Sequence, residues 1–472
     1  MRAGFVKGWE APSRPSILAA IVLSLAYSVV RWMSLSGVEP LLFPDSELYL
    51  SLFRDGAPVD PLTQKRSWGY PVFIWLMGHS EEAVIVCQRF LGVISWLSLA
   101  WSAFFALRTT IPRFLTFISI LALSLSFTVI QWDACILTES LTISGFAVSV
   151  SLMVWIRLRE EKGTVLLVPL LGCLLFLVGL RDANAFILPV FAGTLLLGGF
   201  PEIVAAIRRK HLNRPHLWAP IVIAGLLILS AALHLHWATR ANRSWMTTAN
   251  AITIRAFLKV DPEQKTTNKT NIELFQERYG APTSIAERAG LNIYEKPVDE
   301  TLENWFEEKG PKAWKSFLLS NPQWLWSTYT NYPPPYSAPS DGYFQHHKEN
   351  WGGSKPVLAG NLERLLNRAT LPVLSWWRFH LAFFIYALVI VVVWQITIWQ
   401  KTSRSISTCL ESLVILAGVS AVISLLSLVG DAIEDWRHAL IGLVAVYISI
   451  PVILGTIIDA VTVHTREGRT ET

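Results

Sequence analysis

Charge is scarce in this chain. Charged residues make up 16% of its 472 residues, whereas hydrophobic residues make up 52% and the mean hydropathy is +0.41. An average soluble domain carries about 25% charged residues, so the composition excludes an ordinary soluble globular protein. Strand-type alternation of apolar and polar residues is also scarce. Because a backbone in lipid must satisfy its own hydrogen bonds, the sequence predicts a bundle of transmembrane helices.

Cysteine is scarce as well, and its positions argue against two kinds of site. The four cysteines, Cys87, Cys135, Cys173 and Cys409, lie in or beside apolar segments and lack the spacing of metal ligands. They therefore predict neither a disulfide framework nor a metal site. The net charge of +5 comes from loops that we expect to lie beside anionic lipid, so it indicates no nucleic-acid partner.

Apolar segments long enough to cross a bilayer, which takes about 20 helical residues, recur about ten times. We place spans near residues 16–36, 83–107, 114–131, 138–156, 164–180, 185–200, 217–238, 377–399, 406–429 and 438–460. We interpret the first segment as a retained helix rather than a signal peptide. The sequence thus predicts an N-terminal membrane module of seven spans (1–239), a mostly helical extracytoplasmic domain (240–372) and a C-terminal module of three spans (373–472).

The distribution of Lys and Arg predicts the orientation. Short loops on one side carry most of these residues, including Arg157, Arg159 and Lys162, and such loops face the cytoplasm. The short loops on the other side carry far fewer. We therefore expect both termini to be cytoplasmic and the loop 38–82 to lie outside the membrane.

The first outer loop, residues 38–82, contains the motif Pro44-Asp45-Ser46-Glu47-Leu48-Tyr49. Two amphipathic stretches, Leu48–Phe53 and Tyr70–Met77, are expected to lie along the membrane interface. Asp45 would then lie at the mouth of a cavity. A carboxylate there can take a proton from a hydroxyl group or hold a divalent cation such as Mg²⁺ or Mn²⁺. The alternative is that Asp45 caps a short helix that begins near Ser46.

Further charged residues are predicted at the same membrane face. Asp133 and Glu139 flank the start of the fourth span, where acidic groups are costly and become functional candidates. Arg181 ends the fifth span, and Arg437 with His438 opens the last one. The planar fork of an arginine can bind phosphate through two hydrogen bonds.

The two arginines also have an ordinary structural interpretation. Each lies near a carboxylate in the sequence, Asp182 for Arg181 and Asp435 for Arg437. Pairing with these groups, or extension of the side chain to lipid headgroups, would explain them without any substrate. Both interpretations stay open on the sequence alone.

The outer domain carries charges of both signs. Residues 300–309 predict a short acidic helix, and residues 311–331 predict a longer one that Pro322 bends or ends. Trp314, Phe317 and Trp324 on the longer helix suit either the membrane interface or the core of a small helical domain.

Short motifs in this order resemble the GT-C superfamily of membrane glycosyltransferases, especially the bacterial relatives of the protein mannosyltransferase and aminoarabinose transferase group. The motifs are Asp45-Ser46 with Tyr49, Arg66 with Gly69-Tyr70-Pro71-Val72-Phe73, Leu137-Thr138-Glu139-Ser140-Leu141, Leu180-Arg181 and Trp436-Arg437-His438. No single motif is specific, and the resemblance lies in their order and topology. It implies a GT-C-like helical bundle in a bacterial plasma membrane, with its active site outside.

The resemblance also implies a chemistry. The donor would be a polyprenyl-phosphate sugar and the acceptor an unidentified envelope molecule, with inversion at the anomeric carbon. Asp45 would deprotonate the acceptor hydroxyl, or orient it through a bound cation. Arg181 and Arg437 would neutralise the departing phosphate, and Glu139 would hold the acceptor or a metal ion.

Other positions receive weaker roles. Asp133 is a second candidate beside Glu139. The candidates for an acceptor or loop site are Asp133, Glu47, Arg66 and Tyr70. His438 stands where the family usually has tyrosine. Glu47 is separated from Asp45 by one residue, whereas many of these transferases have adjacent acidic residues, so in a helix the two carboxylates point in different directions.

Two other functions fit the same charges. An O-antigen polymerase or ligase also uses polyprenyl-linked sugars but depends mainly on arginines and a histidine of an outer loop. A transporter or lipid-binding protein would use the charges only to anchor helices, and it predicts that Asp45→Asn leaves function intact. The acidic first loop favours the glycosyltransferase. A transporter would place its ionisable groups nearer the middle of the bilayer.

Overall fold

A computed structural model describes residues 11–51, 67–208, 215–257 except 242 and 244, 265–288, 298–325, 384–385, 404–430 and 435–470. Within these ranges the chain is helical, and the only bridge of β type is an isolated parallel one between Leu41 and Cys135. Several of the helices are long and apolar enough to cross a membrane. The protein is therefore an all-α polytopic membrane protein, as the sequence predicts.

The helices fall into three groups along the chain. Those before residue 241 are α1 (Arg14–Ser34), α2 (Pro44–Ser51), α3 (Gly69–Leu76), α4 (Glu81–Ala106), α5 (Thr110–Ser124), α6 (Phe127–Ile130), α7 (Glu139–Leu158), α8 (Leu167–Leu180), α9 (Leu188–Arg208) and α10 (Pro215–Arg240). The segment after α10, which the sequence predicts to lie outside the membrane and which we call the outer segment, contains α11 (Trp245–Asn250), α12 (Lys265–Tyr279), α13 (Glu300–Glu308) and α14 (Gly310–Ser320). The C-terminal part contains α15 (Arg404–Gly430) and α16 (Asp435–Thr470).

Seven described helices pass as membrane spans by length and composition, or eight when one bent pair counts as a single span. These eight coincide with eight of the ten predicted spans. The predicted span 185–200 corresponds to a shorter apolar helix at Asp182–Gly198. The predicted span 377–399 lies almost entirely outside the described residues, so the number ten stays a prediction.

The third predicted span, residues 114–131, is not one straight helix. Its two parts, Thr110–Ser124 and Thr128–Ala134, meet at an angle of 57°. The buried Arg31 donates a hydrogen bond to the carbonyl oxygen of Ser124. A side chain that takes a carbonyl from the helical ladder is a recognised cause of kinks. The apolar composition predicted the span, but not this insertion.

Helix α7 lies at the centre of the bundle, against α4, α8 and α15. It is buried on nearly all sides, and small residues let its neighbours approach closely. A Cβ atom on Gly145 would lie 2.8 Å from Leu177 Cδ2. The hydroxyl groups of Ser98 and Ser151 lie 2.8 Å apart between α4 and α7. Because α7 begins at Glu139, its central position fixes that carboxylate in the bundle.

The outer segment has a hydrophobic core of its own. Phe275, Trp305, Phe306 and Phe317 are among its buried residues, together with Trp314. This finding supports the domain-core interpretation of Trp314 and Phe317. Helix α14 ends at Ser320, two residues before Pro322, so the predicted break at this proline is confirmed, while most of the helix predicted beyond it lies outside the described residues.

The acidic helix of the outer segment begins with a side-chain cap. Asp299 accepts a hydrogen bond of 2.9 Å from the backbone N–H of Leu302. This bond holds the pKa of Asp299 below its ordinary value. Helix α13 therefore forms at Glu300–Glu308, within the predicted range 300–309.

We call the end of the bundle that carries α2 and α3 the loop end, and the opposite end the far end. At the far end, Arg157 at the close of α7 pairs with Glu411 near the start of α15, at 2.6 Å. Asp459 on α16 accepts hydrogen bonds of 2.7 Å from the backbone N–H and the hydroxyl of Thr109. Both contacts join the ends of neighbouring membrane helices.

Candidate functional site

The chain before α2 is fixed to the segment before α7. The Leu41 N–H donates to the Ala134 carbonyl oxygen at 2.9 Å, and the Ile136 N–H donates to the Leu41 carbonyl oxygen at 3.1 Å. These bonds form the parallel bridge between Leu41 and Cys135. The first outer loop is thereby attached to the chain only a few residues before Glu139.

Helix α2 carries Asp45 and is tied to the same segment. The Ser46 hydroxyl donates to the Ile136 carbonyl oxygen at 2.7 Å and accepts from the Phe43 N–H at 2.9 Å. The helix begins at Pro44, which is favoured at a first helical position. Asp45 therefore lies inside the first turn, where a negative charge is stabilised by the helix dipole. The expectation that it caps a helix beginning near Ser46 is wrong by this boundary.

The two carboxylates of α2 have different surroundings. Asp45 is half-buried, whereas Glu47 is exposed. Residues two apart on a helix point in directions about 160° apart, because each residue turns the helix by about 100°. The helical form of this loop thus separates Asp45 from Glu47, as expected from their spacing.

Helix α3 packs its first turn on the bundle. The Tyr70 hydroxyl donates to Gln88 Oε1 at 2.8 Å, and Gln88 Nε2 donates to the Cys135 carbonyl oxygen at 2.9 Å. The Tyr49 and Tyr70 rings meet edge to face, with centroids 5.1 Å apart. Tyr70 therefore connects α2, α4 and the segment before α7. Its burial raises the pKa of the phenol well above the ordinary value, which keeps the donor proton in place.

The opposite face of α3 is exposed and apolar. Trp75 is 55% exposed and Leu76 is 63% exposed. Such residues suit the membrane interface, in agreement with the predicted position of Tyr70–Met77. A turn at Gly78 and His79, with φ of 65° and 58°, then reverses the chain into α4.

Glu139 and Arg181 form an ion pair. Arg181 Nη1 lies 2.9 Å from Glu139 Oε1, and the side chains are 14% and 1% exposed respectively. Arg181 has an extended backbone at the break after α8, so its side chain can leave the helix axis and reach α7. The sequence suggested Asp182 as its structural partner, and the structure instead pairs it with Glu139, which is distant in sequence.

Asp182 lies in a separate polar cluster. Its Oδ1 atom accepts a hydrogen bond from the Ser67 hydroxyl at 2.8 Å. His234 Nε2 lies 2.7 Å from the same oxygen, and Arg243 Nη1 lies 3.0 Å from it. Sequence reasoning did not connect these residues. The only signal was a polar His234 within an apolar helix.

Asp133 has a structural environment. It pairs with Arg31 at 2.6 Å, and the two side chains are 3% and 2% exposed. The Ser140 hydroxyl adds a bond of 2.7 Å to Asp133. A Cβ atom at position 92 would lie 2.8 Å from Arg31 Nη2, so Gly92 leaves the space for this pair. The structure thus sets Asp133 apart from Glu139, with which the sequence grouped it.

The side chains of three predicted site residues lie outside the described part of the chain. They are Arg66, Arg437 and His438, of which the last two belong to the first turn of α16. In the ranges that the structure describes, no group of three or more His, Cys, Asp and Glu side chains has the arrangement of a metal site.

The candidate site residues with described side chains are thus Asp45 on α2, the Glu139–Arg181 pair and the Asp182 cluster, all at the loop end. Comparisons with protein-family models, with curated proteins and with solved structures find no match to this chain.

Proposed function

We propose that this protein is a GT-C-type glycosyltransferase that moves a sugar from a polyprenyl-phosphate donor to an envelope acceptor at the loop end. One observation carries the proposal. Ser46, next to Asp45, bonds to Ile136, and Glu139 three residues later pairs with Arg181. A candidate base and a candidate phosphate ligand, distant in sequence, are thus held by one set of contacts at one end of the bundle.

The proposed reaction is a single displacement. The acceptor oxygen forms a bond to the anomeric carbon, and the bond from that carbon to the phosphate oxygen breaks. The electron pair leaves with the polyprenyl phosphate, and the acceptor proton passes to Asp45. Attack from the face opposite the leaving group inverts the anomeric centre.

Arg181 supplies the electrostatic part of this mechanism. Negative charge grows on the phosphate oxygen as the bond breaks, and a fixed guanidinium stabilises it. The fork of five N–H donors can serve more than one oxygen group. In this proposal Glu139 orients the fork through Nη1, while the part of Arg181 that remains exposed faces the donor.

The ionisable groups are arranged less well for transport. The buried pair of Arg31 and Asp133 is closed by Ser140 and by the Ser124 carbonyl. The two side chains of this pair are only 2% and 3% exposed. Arg181 and Asp182 lie where α8 ends, and Asp45 lies on α2, outside the candidate spans. These positions favour chemistry at a membrane surface over passage through the bilayer.

The test measures the leaving group, so that it depends on neither the sugar nor the acceptor. Full-length protein in envelope membranes is incubated with a panel of undecaprenyl-phosphate sugars, and released undecaprenyl phosphate is measured by mass spectrometry. We expect release by the wild type and a loss of about 100-fold or more in Asp45→Asn. Glu47→Gln, on the same helix, is the matched control and should retain activity. Full activity in Asp45→Asn would remove the central residue of the proposal.

A further inference from the structure

Asp182 joins three separate parts of the chain through one oxygen atom. Ser67 belongs to the returning half of the first outer loop, and His234 lies near the end of α10. Arg243 lies in the turn between α10 and α11, where the outer segment begins. The side chains of His234 and Arg243 are 6% and 4% exposed, and that of Asp182 is 31% exposed. These contacts therefore lie at the boundary between the bundle and the outer segment.

At this break, the side chains of the adjacent residues Arg181 and Asp182 point in opposite directions. Arg181 has φ of −151° and ψ of 137°, and in such an extended backbone successive side chains point to opposite sides. Arg181 reaches α7 through Glu139, whereas Asp182 reaches α10 and Ser67. Arg181 thus contacts the proposed donor side, whereas Asp182 makes the contacts that hold the first outer loop and the outer segment.

We propose that Asp182 is a positioning residue that fixes the first outer loop and the outer segment relative to each other. The inference rests on the proposed function, in which α2 of this loop carries the base that acts on the acceptor. Ser67 and Arg243 meet at Asp182, whereas Arg181 pairs with Glu139 on α7. We therefore expect loss of Asp182 to disturb the acceptor side of the site and to leave the affinity for the donor phosphate unchanged.

Hydrogen–deuterium exchange of the full-length protein in lipid nanodiscs tests the connection without any substrate. In Asp182→Asn we expect exchange about tenfold faster in peptides that cover both 67–76 and 245–257, because each loses part of its anchor. Ser67→Ala should affect mainly the first peptide and Arg243→Gln mainly the second. Glu411→Gln, which breaks a pair at the far end, is the control and should change neither.

Binding of undecaprenyl phosphate separates positioning from donor recognition. Asp182→Asn should bind this probe within about twofold of the wild type, whereas Arg181→Gln should bind it about tenfold more weakly. Turnover of the donor should still fall in Asp182→Asn. Should Asp182→Asn not fold, Ser67→Ala, which removes one hydroxyl group, is measured in its place and should slow turnover while binding is retained.

Two results would overturn the inference. One is unchanged exchange in both peptides of Asp182→Asn, and the other is a loss of undecaprenyl-phosphate binding equal to that of Arg181→Gln. Failure of the proposed function looks different. In that case the wild type itself neither binds undecaprenyl phosphate nor releases it from the donor, while the exchange pattern of the variants still reports whether Asp182 makes the connection.

Discussion

The two ends of the bundle contain the same residue types in different connections. At the far end, Arg157 pairs with Glu411 and also donates to the Leu195 carbonyl oxygen, so its contacts join membrane helices. At the loop end, Arg181 pairs with Glu139 from a break between helices. Asp182, beside it, holds an outer loop. Far-end charges join helix ends, whereas at the loop end Asp182 also holds the returning half of the loop that carries Asp45.

A third pair, between Arg31 in the last turn of α1 and Asp133 just before α7, sharpens this comparison. The Arg31–Asp133 pair is also an arginine–carboxylate contact, yet both partners are almost fully buried. Neither residue type nor ion-pair distance therefore separates a structural charge from a candidate functional one. The separation comes from the segments that each pair joins, since the side chains of Arg181 and Arg157 are similarly exposed, at 14% and 16%.

The largest effect on stability is expected from the Arg31–Asp133 pair. Asp133→Ala leaves the buried Arg31 charge without its partner, and breaking such a pair costs about 3–5 kcal/mol. Thermal unfolding in detergent measures the loss. The double variant Arg31→Met/Asp133→Leu removes both charges and should recover most of the stability. A single variant as stable as the wild type would show that this pair does not hold the fold.

A comparison of arginines tests the two ends directly. Arg181→Gln should lower the release of polyprenyl phosphate by about 100-fold, because a charge on the leaving group loses its stabilising donor. Arg157→Gln should lower the yield of folded protein but not the turnover per folded molecule. Equal loss of turnover in the two variants would erase the distinction between the ends.

Two glycines of α8 provide a matched steric test. A Cβ atom on Gly179 would lie 2.8 Å from the Trp68 ring, whereas one on Gly172 meets no atom within 4 Å. Gly179→Ala should therefore push α3 away from α8, cost about 1–3 kcal/mol and reduce turnover. Gly172→Ala should leave both unchanged or raise stability slightly. Equal thermal stability of the two variants would contradict this packing.

The smallest effect is expected from Tyr70→Phe, which removes the hydrogen bond to Gln88 and should cost about 1 kcal/mol. The pKa of Tyr70 is raised in the folded protein, so the neutral phenol is favoured. The contribution of Tyr70 to the stability of the fold is complete below the ordinary tyrosine pKa of about 10. It is lost only as the pH rises further. Unfolding measured from about pH 6 to pH 9 should show a constant difference between variant and wild type.

Hydrophobic patterning was enough to predict the helical class and the positions of the described spans. An apolar composition shows where a span lies and how long it is, but not whether it is straight. It therefore predicted the segment that contains α5 but not the bend in that segment. At that bend the Ser124 carbonyl oxygen accepts a hydrogen bond from Arg31, which lies more than 90 residues away in the chain. The break before Pro322 was predictable because the restriction imposed by proline is local.

The candidate site, too, was predictable from the sequence only in part. The sequence placed Asp45, Glu139 and Arg181 near one membrane face, because topology fixes which end of each helix they occupy. It could not pair Arg181 with Glu139 rather than with the adjacent Asp182, since that choice depends on the extended backbone at the break. Nor could it connect Ser67, His234 and Arg243 to Asp182, because three loops must fold before these side chains meet.

The most direct test of the central claim is the location of the lipid phosphate on the protein. A polyprenyl phosphate that carries a photoreactive group beside its phosphate is crosslinked to the wild-type protein in membranes, and the adducts are mapped by mass spectrometry. The account predicts adducts in peptides that cover residues 41–51, 133–140 and 179–187. Adducts confined to far-end peptides, such as 404–412 or 105–113, would contradict it.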